Sequence, residues 1–120
     1  MTDQEKFSII TETVCDFYSI EKKDLMTKNQ KREITEPRFL ICYFARRLTR
    51  LSLHNIGDAL KKDHATVLHG ERLIADMVRF NGFAEVTTDL AQKLQVKFIK
   101  RDSYDFNKWI LSMGTMINQN

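Results

Sequence analysis

Proline and glycine are scarce, with one Pro and four Gly in 120 residues. A β-sandwich or barrel needs a turn every ~8–12 residues, and tight turns draw on those two residue types. Their scarcity argues against an all-β fold and for long helices with few breaks. Long hydrophobic runs are missing too. The longest, Phe39 to Ala45, has 7 residues, against the ~20 a bilayer-spanning helix needs. No membrane partner is expected, and no apolar segment near the N-terminus has the form of an export signal. Cysteine is limited to Cys15 and Cys42, far apart and inside apolar stretches. They read as buried free thiols of a cytoplasmic protein rather than a disulfide or half of a zinc site.

What remains is ordinary for one globular domain: 42% hydrophobic and 29% charged residues. The net charge of +3 is unevenly placed. Residues 1–27 carry three basic against six acidic residues, residues 28–62 nine against three, and residues 63–120 seven against seven. The middle third is a basic island. A solvated helix face accounts for a single charge run; two basic clusters flanking a helical core fit a polyanion partner equally well.

Hydrophobic spacing divides the chain into about six helices, an all-α bundle. Phe7, Ile10, Val14, Phe17 and Tyr18 mark the first helix, followed by a short turn around Ile20 to Leu25. Residues 26–36 are polar and basic and read as a loop, with Pro37 in the first turn of the next helix. There Ile41, Phe44, Ala45 and Leu48 share one face, and Arg46, Arg47 and Arg50 lie opposite. Ser52 fits an N-cap for a short helix with Leu53, Ile56 and Leu60 inward. Lys61–Lys62 leaves room only for a tight turn. Asp63 is a second N-cap, and its charge suits the helix dipole. A longer helix then runs to about Phe80, where Gly70 allows close helix approach. Asn81–Gly82 breaks the chain. Phe83, Val86, Leu90, Leu94 and Phe98 mark a fifth helix, and Phe106, Trp109, Ile110, Met113 and Ile117 a sixth.

A short helix, a tight turn and a longer helix form the helix-turn-helix pattern, whose second helix reads base edges with its first turn. Asp63, His64, Ala65 and Thr66 occupy that turn. A carboxylate can accept from a cytosine amino group, and a methyl can touch thymine. A plain helical hairpin with a capping Asp also fits the pattern. His64 and His69 diverge by about 140° around a helix, whereas a helical two-histidine metal site needs a spacing of four. No metal is expected. None of the four glycines belongs to a phosphate-binding loop, so no nucleotide or other cofactor is expected. No paired nucleophile and base stands out, and the chain is not expected to be an enzyme.

The stretch SLHNIGDALKKDHATVLHGERLI, Ser52 to Ile74, resembles the C-terminal DNA-binding domain of the bacterial DnaA replication initiators. The family pattern runs roughly S-L-x-x-I-G-x-x-F-G-x-R-D-H-T-T-V-x-H-A. Ser52, Leu53, Ile56, Gly57, Asp63, His64, Thr66, Val67 and His69 match it. VCDFYSIEKKDLMTKNQKREITEPR also resembles the family's leading helix, basic loop and Pro-Arg helix start. The likeness covers about residues 5–80. It implies a sequence-selective binder of double-stranded DNA, associated with the nucleoid and acting in replication or transcription. It further implies a major-groove reader made of Lys62, Asp63, His64, Ala65 and Thr66, and a minor-groove loop with Lys31, Arg32 and Arg38. Arg46, Leu53 and His69 would meet phosphates. The family's glycine-rich turn is replaced by Lys61–Lys62 and is one residue shorter. Ala65 stands where threonine is usual, and Gln30 where a minor-groove arginine is usual.

Family initiators carry an ATPase domain ahead of this module, and here the module begins at once, so ATPase activity is not expected. The expected organisation is residues 1–80 as the DNA-binding domain and residues 81–120 as a helical extension. The extension would either pack on that domain or build a homodimer. The alternative function is a protein-interaction module whose helical tail pairs with a partner chain.

Overall fold

A computed structural model describes residues 1–80 and 82–101. The fold is all-α. Helices α1 (Asp3–Tyr18), α2 (Arg32–Leu48), α3 (Leu53–Leu60), α4 (His64–Phe80) and α5 (Ala84–Arg101) follow in order, with a 3-10 turn at Lys22–Met26. The sixth helix expected around Phe106 to Ile117 lies outside the described residues.

Local chemistry sets the helix ends. Thr2 caps α1 by accepting the Glu5 N–H at 3.1 Å, and Asp3 and Glu5 place negative charge in the first turn. The helix stops where Ser19 enters the left-handed region at φ 55°. Glu21 and Asp24 form a capping box around the 3-10 turn.

The expected loop over residues 26–36 is shorter in the structure, because α2 starts at Arg32 rather than near Pro37. Ile34 is buried, and anchoring it extends the helix backwards by about a turn. Pro37 therefore sits inside the helix, buried, at the loss of one backbone donor.

α2 is the central helix. Leu40, Ile41, Phe44 and Ala45 are fully buried between α1 and α4. Phe7, Ile10 and Val14 close the core from α1; Val67, Ile74 and Val78 close it from α4. Phe17, expected inward, is 37% exposed. Leu90, Leu94 and Phe98 of α5 join the same core on the α1 side. Cys15 and Cys42 are both buried free thiols. Burial pushes the Cys15 thiol up to about 11 and that of Cys42 up to about 12, so both stay protonated and unreactive.

Two close approaches hold the α2–α3–α4 unit together. A side chain at Gly70 would collide with the Phe39 ring, so that ring of α2 rests directly on the α4 backbone here. A side chain at Gly57 would lie 2.4 Å from the Lys62 carbonyl oxygen. There the Lys62 N–H donates to the Gly57 carbonyl at 2.8 Å, which folds the turn back on α3. The turn itself needs a left-handed residue, and Lys61 supplies it at φ 55° against its steric preference.

The two turn positions therefore respond oppositely to substitution. Gly57→Ala should destabilise the fold by about 1–3 kcal/mol through backbone overpacking. Lys61→Gly should stabilise it by about 1 kcal/mol by relieving the left-handed lysine. Urea unfolding of the two variants checks both signs.

Candidate nucleic-acid interface

The corner between α3 and α4 is closed by side-chain caps at both helix starts. Ser52 accepts the Asn55 N–H at 3.0 Å while Asn55 accepts the Ser52 N–H at 3.3 Å. Asp63 accepts the Thr66 N–H at 2.8 Å with one carboxylate oxygen. That bond holds the Asp63 carboxyl below the usual carboxylate range, with a smaller contribution from the Thr66 hydroxyl. The group is exposed and ionised at neutral pH. Its cap acts above the ordinary carboxylate pKa and is lost as pH falls through the lowered one.

Val67 points into the core, so the preceding residues are rotated outward. His64 and Ala65 are exposed and Thr66 is half-buried. The first turn of α4 thus projects a carboxylate, an imidazole, a methyl and a hydroxyl from one rigid helix end.

The basic loop is built from behind. Arg38 is only 2% exposed. Its Nε donates to the Leu25 carbonyl at 2.9 Å, its Nη2 to Thr27 at 3.0 Å and its Nη1 to Asn29 at 3.3 Å. The groove contact expected at Arg38 thus falls on a side chain that is turned inward onto the loop backbone. Because the helix starts at Arg32, Arg38 lies a turn and a half inside α2, where its guanidinium faces the loop backbone. The loop also ties to itself. The Lys31 N–H donates to Asn29 Oδ1 at 2.8 Å, and the Thr27 hydroxyl donates to the Asp24 carbonyl at 2.8 Å. Lys28, Gln30, Lys31 and Arg32 are left exposed on the outside.

Lys62 connects the loop to the helix-turn-helix. Its Nζ donates to the Thr27 carbonyl that Arg38 also holds. Its ammonium is therefore turned toward the loop rather than along the first turn of α4. Desolvation, and then the charges of Arg38 and Lys28, lower its pKa.

The three expected phosphate contacts stand on different elements. Leu53 opens α3, where the first N–H groups of a helix have no intrahelical acceptor. His69 is exposed on α4, its ring edge-on to Phe39 at 5.8 Å. Arg46 is held near the end of α2. Its Nη1 donates to the Leu51 carbonyl at 3.2 Å and its Nε lies 3.6 Å from Glu71. Glu71 also pairs with Arg47 at 3.4 Å, and Arg47 lies over the Tyr43 ring at 3.8 Å. Sequence reasoning missed Glu71, whose meeting with two arginines needs the α2–α4 contact to be known. It also missed His54, which sits beside His64.

Among the described residues, no group of three His, Cys, Asp or Glu side chains could hold a metal ion. No helix there is long and apolar enough to cross a membrane.

Comparison with known proteins agrees with this geometry. The family described as the bacterial DnaA protein helix-turn-helix matches residues 7–74. The chain belongs to that family. The chromosomal replication initiator protein DnaA of Laribacter hongkongensis is 45% identical over 69 residues, covering 57% of this chain and 14% of the relative. That of Thermoanaerobacter sp. (strain X514) is 38% identical over 71 residues, covering 59% and 16%. That of Chromobacterium violaceum is 44% identical over 69 residues, covering 57% and 15%. The chain thus spans about one seventh of the curated relatives it matches. The matched DnaA segment contains the loop, Arg38, α3 and α4 as far as Ile74.

Arg38→Met should roughly keep the side-chain volume but leave the Leu25 and Asn29 carbonyls without this donor and the Thr27 carbonyl with Lys62 alone. We expect a stability loss of about 1.5–3 kcal/mol in urea unfolding. The Lys31 amide should also exchange faster with solvent in the free protein.

Proposed function

We propose that this chain binds double-stranded DNA sequence-selectively, with the first turn of α4 in the major groove and the 27–31 loop along the adjacent minor groove. One observation carries the reading: Asp63, His64, Ala65 and Thr66 project together from a capped helix end whose next residue, Val67, is locked in the core. One Asp63 oxygen is engaged by the cap. The exposed carboxylate keeps further acceptor capacity for a cytosine amino group. His64 and Thr66 supply donors or acceptors, and Ala65 supplies a methyl-sized apolar contact. Lys28, Lys31, Arg32, Arg46, His69 and the N-terminal N–H groups of α3 at Leu53 meet the backbone. Lys62 and Arg38 act one step back, by holding the loop against the corner.

The relatives are replication initiators by name, and we assign this chain a replication-associated role at the nucleoid, without a catalytic step. A transcriptional role would use the same contacts. Binding selection from a random duplex library tests the reading directly. It should return one short asymmetric motif, and an unselective pool would overturn the proposal.

A second reading, pairing of two chains through residues 81–120, is favoured by Val96 and Ile99. They are 51% and 46% exposed near the end of α5. Light scattering at low micromolar concentration should give twice 14.1 kDa if the chains pair, and 14.1 kDa if they do not.

The interface predicts two further outcomes. Duplex affinity should fall with salt at a log–log slope of about −3 to −4, corresponding to about four neutralised phosphates. A slope shallower than about −2 would reject the electrostatic footprint. His64→Ala should cost about 1–3 kcal/mol on the selected site and little on random duplex, whereas Arg46→Ala should weaken both alike. Titrations of the two variants against both duplexes decide whether reading and anchoring are separable.

A further inference from the structure

His54 has no place in the contacts above, yet it touches the central member of the reading turn. It is the second residue of α3, and His64 is the first residue of α4. Their ring centroids are 4.4 Å apart and their planes are inclined by 38°. Both residues are exposed, so core packing does not force the contact. The backbones that carry the two rings are fixed. The Ser52–Asn55 box holds the start of α3, the Asp63–Thr66 bond holds the start of α4, and the Lys62 N–H to Gly57 carbonyl bond holds the turn between them.

An exposed imidazole at a helix start keeps several rotamers, and ordering one on binding carries an entropic cost. A neighbouring aromatic ring at stacking distance removes much of that freedom beforehand. We propose that His54 is a positioning residue for His64, holding its imidazole in the orientation that meets the base edge. His54 would therefore determine specificity without itself touching a base. The inference rests on the proposed reading role of α4. It extends the specificity determinants of the chain across the turn and onto the first helix of the corner.

The test uses the full chain, the duplex returned by binding selection and an unrelated duplex. His54→Ala should reduce the ratio of specific to random affinity about 3- to 10-fold while leaving affinity for the random duplex unchanged. His54→Phe, which keeps a ring but no nitrogens, should restore the ratio to within about twofold. In a His64→Ala background, His54→Ala should change nothing further, since the partner it orients is gone. In the free protein, the His64 ring-proton resonances should shift in His54→Ala and stay near their original positions in His54→Phe.

Equal weakening on both duplexes would overturn the proposal, because His54 would then be a backbone contact. A full effect of His54→Ala in the His64→Ala background would overturn it as well. If His64→Ala leaves the ratio unchanged, the reading role of α4 fails and the positioning role fails with it. If His64→Ala lowers the ratio and His54→Ala does not, only the positioning role fails.

Discussion

The buried guanidinium of Arg38 fixes the shape of the basic loop. A loop rich in lysine and arginine repels itself and, in isolation, samples many conformations. Here three of its carbonyl oxygens, on Leu25, Thr27 and Asn29, converge on one planar fork of donors. Arginine suits this task because its donors have fixed relative directions. Lysine, a point charge on a flexible stem, could not hold three acceptors in one plane in the same way. Burial of the arginine is tolerated because each nitrogen of the guanidinium has a partner. The positive charge is spent inside the fold, and the exposed cations around it are presented on a shaped surface.

Lys62 transmits that order to the helix-turn-helix. By donating to the Thr27 carbonyl it joins residues 35 positions apart in sequence. The loop and the corner are thereby tied together, so the spacing between the proposed minor-groove and major-groove contacts is built into the free protein. Preorganisation of this kind improves affinity mainly by reducing the ordering cost of binding. Glu71 has a comparable effect on the opposite edge, where it confines Arg46 and Arg47 and offsets part of their charge. The positive field at the end of α2 is accordingly weaker than a count of arginines implies.

Much of this was legible in the sequence because caps and turns are local. Ser52 and Asp63 announce helix starts through short side chains that reach the next free N–H, and both caps form as read. The inward positions Val67, Ile74, Leu90 and Leu94 follow from spacing alone. The early start of α2 was not legible. Pro37 favours a helix start there, and only tertiary burial of Ile34 overrides it. That single shift moves Arg38 from the loop edge to its foundation. The contacts of Lys62, Glu71 and His54 were equally invisible, because each crosses between elements whose relative placement the sequence does not state.

The carboxylate of Asp63 serves both the helix and the proposed base contact. This overlap restricts how recognition at that position can diverge. A substitution that changes the preferred base must also close the start of α4, so only residues that cap are accessible without a loss of stability. Asn reverses part of the donor pattern and still caps, while Ser and Thr cap but reach less far. Alanine, glutamate and arginine each vacate the cap. Target preference at this point can therefore drift only along a narrow path of short polar side chains, whereas the neighbouring Ala65, which caps nothing, is free to vary.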